Sequence, residues 1–201
     1  MPAVLFQTGY LTIKGFEERG RRRSYTLGFP NHEVEDGFNA WLAGAYTTDA
    51  AATSDWRNAC YHAVRNGDCA EFVGALSSLF ASIGYDLTDR LTEQAYQCVV
   101  VAILRYIGVD LSAEMTTSRG RIDMVCFAPG NVVVVELKVA SGQSAGERAA
   151  DEAMRQIYER GYAERFACDR RRVQLLGVSF DCETHNIAAW RCEELKAAMG
   201  Y

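Results

Sequence analysis

The chain has 201 residues, of which 49% are hydrophobic and 23% are charged, as is typical of a soluble globular protein with one domain or one domain and an appendage. No stretch approaches the roughly 20 apolar residues of a membrane span, and the N-terminus lacks the pattern of a signal peptide, so we predict a cytoplasmic protein without membrane contacts. The formal net charge of -5 excludes a general electrostatic attraction for nucleic acid. Two compact basic clusters, at residues 18–24 and 169–173, either meet phosphates or form solvated turns.

The first part of the chain predicts a small unit of residues 1–47. Two β-rich runs, at 4–15 and 24–31, flank the charged segment FEERGRRR, which predicts a hairpin with a basic tip. Residues 30–46 predict a capped helix, and residues 49–108 contain three further helical patterns. Thr88 or Asp89 is the expected N-cap of the third helix, and Gly108 is its expected C-terminal stop.

From residue 109 the hydrophobic period changes to two. Three strands are predicted at 109–118, 120–128 and 131–139, followed by one long helix at 147–166 and two strands at 171–180 and 185–191. This order predicts an α/β fold, with a mixed central β-sheet flanked by helices.

The seven cysteines are scattered, odd in number and never spaced as C-x-x-C. This pattern fits neither a disulfide framework nor a four-cysteine zinc site, so we predict reduced thiols. Cys182, His185 and Cys192 are the one metal-like grouping, and packing explains them better because zinc ligands usually come in tightly spaced pairs.

Two charges interrupt the apolar run NVVVVELKV at residues 131–139. Because residues two apart share a face of a strand, Glu136 and Lys138 point the same way. If the preceding hairpin has a two-residue loop of Pro129 and Gly130, Asp123 lies opposite Glu136. A three-residue loop would instead make Asp123 diagonal to both charged residues. Either register places two carboxylates and an amine in one cluster.

Two close carboxylates repel each other unless one is protonated or a cation lies between them. Mg²⁺ would resolve this conflict, since it uses one or two carboxylates together with water and substrate phosphate, and Lys138 would add a positive charge beside the reacting group. A buried salt bridge of Lys138 with Glu136 or Asp123 explains the same three residues equally well.

The segment GRIDMV followed by VVVVELKV resembles the D...E-x-K signature of the PD-(D/E)XK nuclease superfamily, with Asp123, Glu136 and Lys138 in the signature positions. The helix LTEQAYQCVVVAILRYIG resembles the family's first core helix, with Glu93 as an additional acidic residue. The segment AMRQIYERGYAERF is similar to the helix that carries a glutamine and a tyrosine, here Gln156 and Tyr162. Ile122 stands where the family name has a proline.

This resemblance implies a restriction-endonuclease-like core with a four-stranded mixed sheet. It also implies a site in which Asp123, Glu136 and Glu93 surround Mg²⁺ or Mn²⁺, Lys138 orients or activates the attacking water, and Gln156 shapes the site. Such sites typically cleave phosphodiester bonds in DNA. The alternative is a catalytically lapsed nucleic-acid-binding or regulatory module, which would keep the same residues.

The chain also resembles the C-terminal part of bacterial proteins that join an AAA-type ATPase-like domain to a PD-(D/E)XK domain. This resemblance implies that residues 1–47 are the end of the ATPase-like domain and residues 48–201 the nuclease-like domain. The sequence contains no G-x-x-x-x-G-K-[ST] motif, so ATP binding would belong to the missing N-terminal partner domain.

Overall fold

A computed structural model describes residues 2–20, 22–46, 52–82, 92–106 and 108–195. The N-terminal unit forms a two-stranded antiparallel sheet of its own, with one helix before it and one helix after it in the chain. Its elements are α1 (Pro2–Gln7), β1 (Thr12–Arg19), β2 (Arg22–Gly28) and α2 (His32–Tyr46).

The predicted hairpin and capped helix are both present in this unit, but the first β-rich run was assigned wrongly. Its opening residues form α1, which ends where Gly9 takes a left-handed backbone, and β1 begins only at Thr12. The two strands extend through the segment that was expected to be the basic tip. Asn31 caps α2 as predicted, since its Oδ1 accepts a hydrogen bond from the Val34 amide at 2.9 Å.

Among the described residues three helices follow, as the sequence predicted: α3 (Ala52–Asn66), α4 (Cys69–Ser82) and α5 (Glu93–Tyr106). The predicted N-cap residues Thr88 and Asp89 lie outside the described residues. Gly108 ends α5 as expected, with a φ of 85°. The Val109 amide donates to the Leu104 carbonyl at 2.9 Å and the Gly108 amide to that of Arg105 at 3.0 Å, which is the hydrogen-bond pattern of a Schellman motif. None of the described helices is long and apolar enough to span a bilayer.

The main sheet has five strands in the order β3-β4-β5-β6-β7. They are β3 (Asp110–Thr116), β4 (Arg121–Phe127), β5 (Asn131–Ala140), β6 (Arg172–Asp181) and β7 (Asn186–Glu194). Only β5 and β6 pair in parallel, so the sheet is mixed as predicted. The hydrophobic pattern predicted these five strands, whereas the four strands implied by the resemblance are too few, because both β3 and β7 form long ladders with the central strands.

The parallel crossover between β5 and β6 contains the last helix, α6 (Gln143–Glu159). The single helix predicted for residues 147–166 is wrong at both ends. Asp181 accepts a hydrogen bond from the Gly142 amide at 3.0 Å, which fixes the loop before α6. The helix therefore begins at Gln143, before the predicted start at residue 147. Gly161 has a φ of 61°, which ends the helical path, and residues Tyr162–Phe166 form a separate 3₁₀ turn.

Helices cover both faces of the main sheet. On one face α3, α4 and α5 bury an apolar core that includes Leu76, Leu79, Val100, Ile103, Met124, Val135 and Leu137. On the other face α6 and the 3₁₀ turn bury Ile122, Val125, Val134, Ile157, Tyr162 and Leu175. The α/β prediction of a mixed sheet flanked by helices is therefore confirmed, and the architecture is consistent with a restriction-endonuclease-like fold. The small N-terminal unit contacts this core through α2, which packs against α5, where Arg105 pairs with Glu35 at 3.0 Å.

One expectation about the cysteines is wrong, because Cys69 of α4 and Cys192 of β7 form a disulfide. Their Cα atoms are 6.5 Å apart, within the range that a disulfide spans. The two residues are separated by 123 positions, and only the packing of α4 against β7 brings them together. Within the described ranges, Cys182, His185 and Cys192 do not form a cluster able to hold a metal ion.

Candidate active site

The β4–β5 hairpin sets the register of the site. Phe127 pairs with Val132 and Met124 with Val135, while the Ala128 amide donates to the Asn131 carbonyl at 2.8 Å. The loop therefore has two residues, which is one of the two alternatives left open by the sequence, and its register, continued by one residue beyond the Met124–Val135 pair, places Asp123 opposite Glu136. The three-residue alternative is excluded.

Glu136 lies on the β5 face that α6 covers, and only 1% of it is exposed. Its Oε1 accepts hydrogen bonds from Lys138 Nζ at 3.3 Å and from Gln156 Nε2. Its Oε2 is buried and has no hydrogen-bond partner within the described structure. Burial, and next the nearby charge of Asp123, raise the pKa of Glu136 to about 7. A carboxylate with one unused buried oxygen and a near-neutral pKa is poised to accept a proton or a cation.

Asp123 is held from two sides at the start of β4. Its Oδ2 accepts a hydrogen bond from the Leu137 amide at 2.9 Å, and its backbone carbonyl accepts one from Gln97 Nε2 at 2.7 Å. Burial raises the pKa of Asp123, although the Leu137 amide and the Lys138 ammonium act in the opposite direction. The Asp123 carboxylate is therefore fixed in place, with a pKa above that of a free aspartate.

Lys138 connects the two helical layers at the end of β5. Its Nζ lies 3.3 Å from Glu136 Oε1 and 3.6 Å from Oε1 of Glu93, at the N-terminus of α5. Burial lowers the pKa of Lys138, but the surrounding carboxylates outweigh burial and the pKa rises overall. The salt bridge that sequence analysis kept as an alternative therefore exists, with Glu136 as the partner. It leaves the Glu136 Oε2 atom unpaired.

Gln156 reaches Glu136 because α6 approaches the sheet closely. Gly177 of β6 pairs with Glu136 in the sheet register. A Cβ at Gly177 would lie 3.0 Å from the Ala153 Cβ and 3.0 Å from the Ala150 carbonyl oxygen, so only glycine permits this approach without displacing the helix. The contact between Gln156 and the site therefore depends on a residue of a neighbouring strand.

Four of the five candidate site residues, Glu93, Glu136, Lys138 and Gln156, are joined by direct side-chain contacts. Asp123 adjoins them opposite Glu136. Sequence analysis missed Gln97, whose position four residues after Glu93 on α5 places it on the same helix face and could have indicated its role. Tyr162 packs in the core and donates a hydrogen bond to the Arg121 carbonyl at 2.6 Å.

Glu114 lies beside the site in the β3–β4 register, which places it opposite Asp123. It has a φ of 52°, which is strained for a residue other than glycine. Its exposed carboxylate pairs with Arg121 at 3.2 Å. In a regular strand Ile122 and Met124 would point to the same face of the sheet. In β4 they point to opposite faces, since Met124 packs on the α3–α5 side and Ile122 on the α6 side. The strands therefore distort where the carboxylates meet.

Three of these carboxylates, Asp123, Glu136 and Glu93, were predicted to be metal ligands. In the part of the chain that the structure describes, no three acidic, histidine or cysteine side chains converge as a complete metal cage. Glu93 contacts Lys138. Asp123 and the unpaired oxygen of Glu136 fit a hard cation, because Mg²⁺ commonly uses only one or two carboxylates and fills its other positions with water and phosphate oxygens.

Comparison with known proteins agrees with this geometry. The chain is 29% identical over 197 residues to an uncharacterized protein from Azotobacter chroococcum mcd 1 named for its position in the vnfD 5' region. The match covers 96% of this chain and 37% of that relative. Residues 91–190, which include all five candidate site residues, match the PD-(D/E)XK nuclease superfamily.

Proposed function

We propose that this protein is a metal-dependent nuclease that hydrolyses phosphodiester bonds of DNA at the site of Asp123, Glu136 and Lys138. The observation that carries the proposal is the buried, unpaired Oε2 atom of Glu136 beside a second carboxylate. An ordinary structural salt bridge would satisfy both carboxylate oxygens, because a buried acceptor without a partner costs about 1–3 kcal/mol. The match of residues 91–190 to a nuclease superfamily supports the same activity.

Asp123 and Glu136 would hold Mg²⁺ or Mn²⁺, with Glu93 as the third predicted ligand at the edge of the site. The bound ion would lower the pKa of a water molecule and stabilise negative charge on the phosphate. The Leu137 amide fixes the Asp123 carboxylate through a hydrogen bond of 2.9 Å. Gln156 donates to Oε1 of Glu136, so this side chain is oriented with Oε2 left available.

Lys138 would orient the attacking water and stabilise charge on the phosphate. Its ammonium group is half-buried and lies within 3.6 Å of both Glu136 and Glu93, so it is held in one place before substrate binds. The raised pKa of Lys138 keeps this group charged at neutral pH. We therefore assign Lys138 the role of a positive point charge and not that of a general base.

The experiment combines metal binding and cleavage. Calorimetric titration with Mn²⁺ and Mg²⁺ should detect binding, and the same protein should cleave plasmid or single-stranded DNA with either ion and not with EDTA. Lys138→Met, which keeps an unbranched side chain but removes the ammonium group, should bind the ion but not cleave. Absence of both ion binding and cleavage of DNA or RNA in the wild-type protein would refute the nuclease proposal.

The second candidate is a catalytically lapsed nucleic-acid-binding or regulatory module. Lys138 already pairs with two carboxylates, so its charge is partly neutralised within the protein. Ion binding without cleavage of any nucleic acid, together with DNA binding, would favour this candidate.

The domain boundary and the ATPase-like partner remain proposals. The chain spans about 37% of the length of the relative from Azotobacter chroococcum mcd 1, which is therefore a longer protein. We propose that residues 1–47 end an ATPase-like domain, that residues 48–201 form the nuclease-like domain, and that the protein acts in the cytoplasm. Limited proteolysis should cleave near the sequence TTDAAATS at residues 47–54. A fragment starting near Asp55 that fails to stay folded would show that the two parts share one core.

A further inference from the structure

Arg160 and Arg165, which are five residues apart, contact the turn between β3 and β4, which carries the distant Arg119. Arg160, at the end of α6, donates from Nη1 to the Arg119 carbonyl at 2.9 Å, and Arg165, in the 3₁₀ turn, donates from Nη1 to the Thr116 carbonyl at 3.0 Å. Arg119 itself belongs to the turn. We call these three residues, Arg119, Arg160 and Arg165, the basic rim.

The positive charge of the basic rim is largely available for a ligand. Within the described part of the chain, neither Arg160 nor Arg165 forms an ion pair. Their guanidinium groups donate hydrogen bonds to neutral backbone carbonyls. Arg119 pairs with Glu164 at 3.2 Å, but both side chains are more than half exposed. Such a pair contributes little free energy, so a phosphate group could replace the Glu164 carboxylate.

The turn that carries the rim is ordered by its own hydrogen bonds. The Thr117 amide donates to the Gly120 carbonyl at 2.7 Å, and the Thr117 hydroxyl accepts a hydrogen bond from the Arg119 amide at 3.3 Å. A Cβ at Gly120 would lie 3.3 Å from Nη1 of Arg160, so the glycine allows that guanidinium to lie close against the turn. The rim is therefore a preorganised set of cations.

The basic rim adjoins the candidate active site along β4. Arg119 precedes Asp123 by four residues, a span of at most about 13 Å in an extended chain. At a rise of about 3.4 Å per nucleotide along one strand, this distance corresponds to no more than about four nucleotides. The Tyr162 hydroxyl, which donates to the Arg121 carbonyl at 2.6 Å, ties the 3₁₀ turn to the start of β4.

The basic clusters that stand out in the sequence are less suited to this role. In the cluster at residues 169–173, Arg171 pairs with Asp169 at 2.7 Å, and Arg172 pairs with Glu194 at 2.7 Å. In the cluster at residues 18–24, Arg23 pairs with Glu18 at 2.5 Å. With a net charge of -5, the chain needs a local group of uncompensated cations to bind a polyanion.

We propose that the basic rim binds the DNA backbone beside the scissile phosphate and so determines on which side of the cut the strand is held. This inference rests on the proposed function for the choice of substrate. Each guanidinium contacts one phosphate and releases condensed counterions when DNA binds. The rim positions the strand and takes no part in the hydrolytic step.

The test measures the binding of the whole chain to a short fluorescein-labelled duplex DNA by anisotropy, in EDTA, between about 50 and 200 mM salt. Arg160→Gln with Arg165→Gln should make the slope of log affinity against log salt less negative by about 1.8, and Arg119→Gln by about 0.9. Replacing the same residues with lysine should restore the wild-type slope, since the charge is kept. Arg65→Gln is the matched control. Arg65 is exposed, and its carbonyl contacts Asn131 at the other end of β5, about 23 Å along the strand from Lys138.

If the rim arginines only clamp the turn, the double glutamine variant will melt at a lower temperature with an unchanged salt slope, and the inference is overturned. Arg119→Gln decides the matter if the double variant does not fold, because the partner of its side chain among the described residues is the exposed Glu164. Wild-type protein that does not bind the duplex also overturns the inference. If the wild-type protein cleaves DNA with Mn²⁺ but the variants keep the wild-type salt slope, the role of the rim is rejected and the nuclease proposal stands. If the variants change the salt slope but the wild-type protein does not cleave, the role of the rim stands and the catalytic proposal is rejected.

Discussion

Replacing Glu136 with glutamine should change how the stability of the metal-free protein depends on pH. Burial raises the pKa of Glu136 from 4.5 to about 7, so the folded protein holds this proton more tightly than the unfolded chain. The resulting stabilisation is fully present below pH 4.5 and is lost as pH rises through 7. A shift of this size corresponds to roughly 2–3 kcal/mol of unfolding free energy, which the wild-type protein should lose between pH 5 and pH 8 through this group. Glu136→Gln, which keeps the shape and cannot ionise, should not show this loss.

Urea denaturation in EDTA at several pH values, followed by circular dichroism, measures the difference between the two proteins. Other titrating groups largely cancel in that difference. Glu194→Gln is the control, because this carboxylate is about half exposed at the end of β7 and pairs with Arg172. Adding Mn²⁺ at ten times its Kd at pH 8 should stabilise the wild-type protein by about 1.4 kcal/mol and leave Glu136→Gln unchanged. Parallel pH profiles for wild type and Glu136→Gln would refute the assignment of Glu136 as a strained, metal-accepting carboxylate.

Four further substitutions test the other parts of the site. Lys138→Ala should abolish cleavage but preserve or raise Mg²⁺ affinity in calorimetry, since removing a nearby cation favours a bound dication; loss of ion binding would contradict this. Asp123→Ala should instead lose Mg²⁺ binding itself, and unaltered affinity would remove Asp123 from the metal site. If the three charges form only a salt bridge, both variants will simply melt earlier, each destabilised by a few kcal/mol. Gly177→Val should move α6 away from the sheet, break the hydrogen bond between Gln156 and Glu136, and lower cleavage by roughly tenfold or more, as is usual when a supporting contact to a metal ligand is lost. Gln156→Ala should show a similar loss, and full activity in both variants would exclude a role for that hydrogen bond.

The sequence by itself determined the local geometry of the site. The twofold alternation of β-strands puts Lys138 on the same face as Glu136, and the turn at Pro129 and Gly130 brings Asp123 beside them, while the choice between a two-residue and a three-residue loop came from the structure. These features depend on residues that are close together in the chain, where backbone sterics and hydrogen bonding leave few conformations. For the same reason Gly108 could be identified as the end of α5, and the five strands could be recognised from their period.

The helix predicted through residue 166 shows where a local pattern misleads. Apolar residues recur with helical spacing on both sides of Gly161, because α6 and the 3₁₀ turn pack into the same core. The pattern therefore reports which residues are buried, and it does not reveal that the backbone changes direction between them.

Only the tertiary structure decided which distant residues meet. The helix α6 approaches Glu136 because Gly177 leaves room for it, and α5 supplies both Glu93 and Gln97 from another layer. The same long-range packing forms the disulfide between α4 and β7 and brings the end of α6 and the 3₁₀ turn against the β3–β4 turn to form the basic rim. It also determines the raised pKa of Glu136, since burial by elements remote in the chain is the largest cause of that shift. Contacts of this kind depend on how whole helices and strands pack, and residue spacing within one segment does not specify that packing.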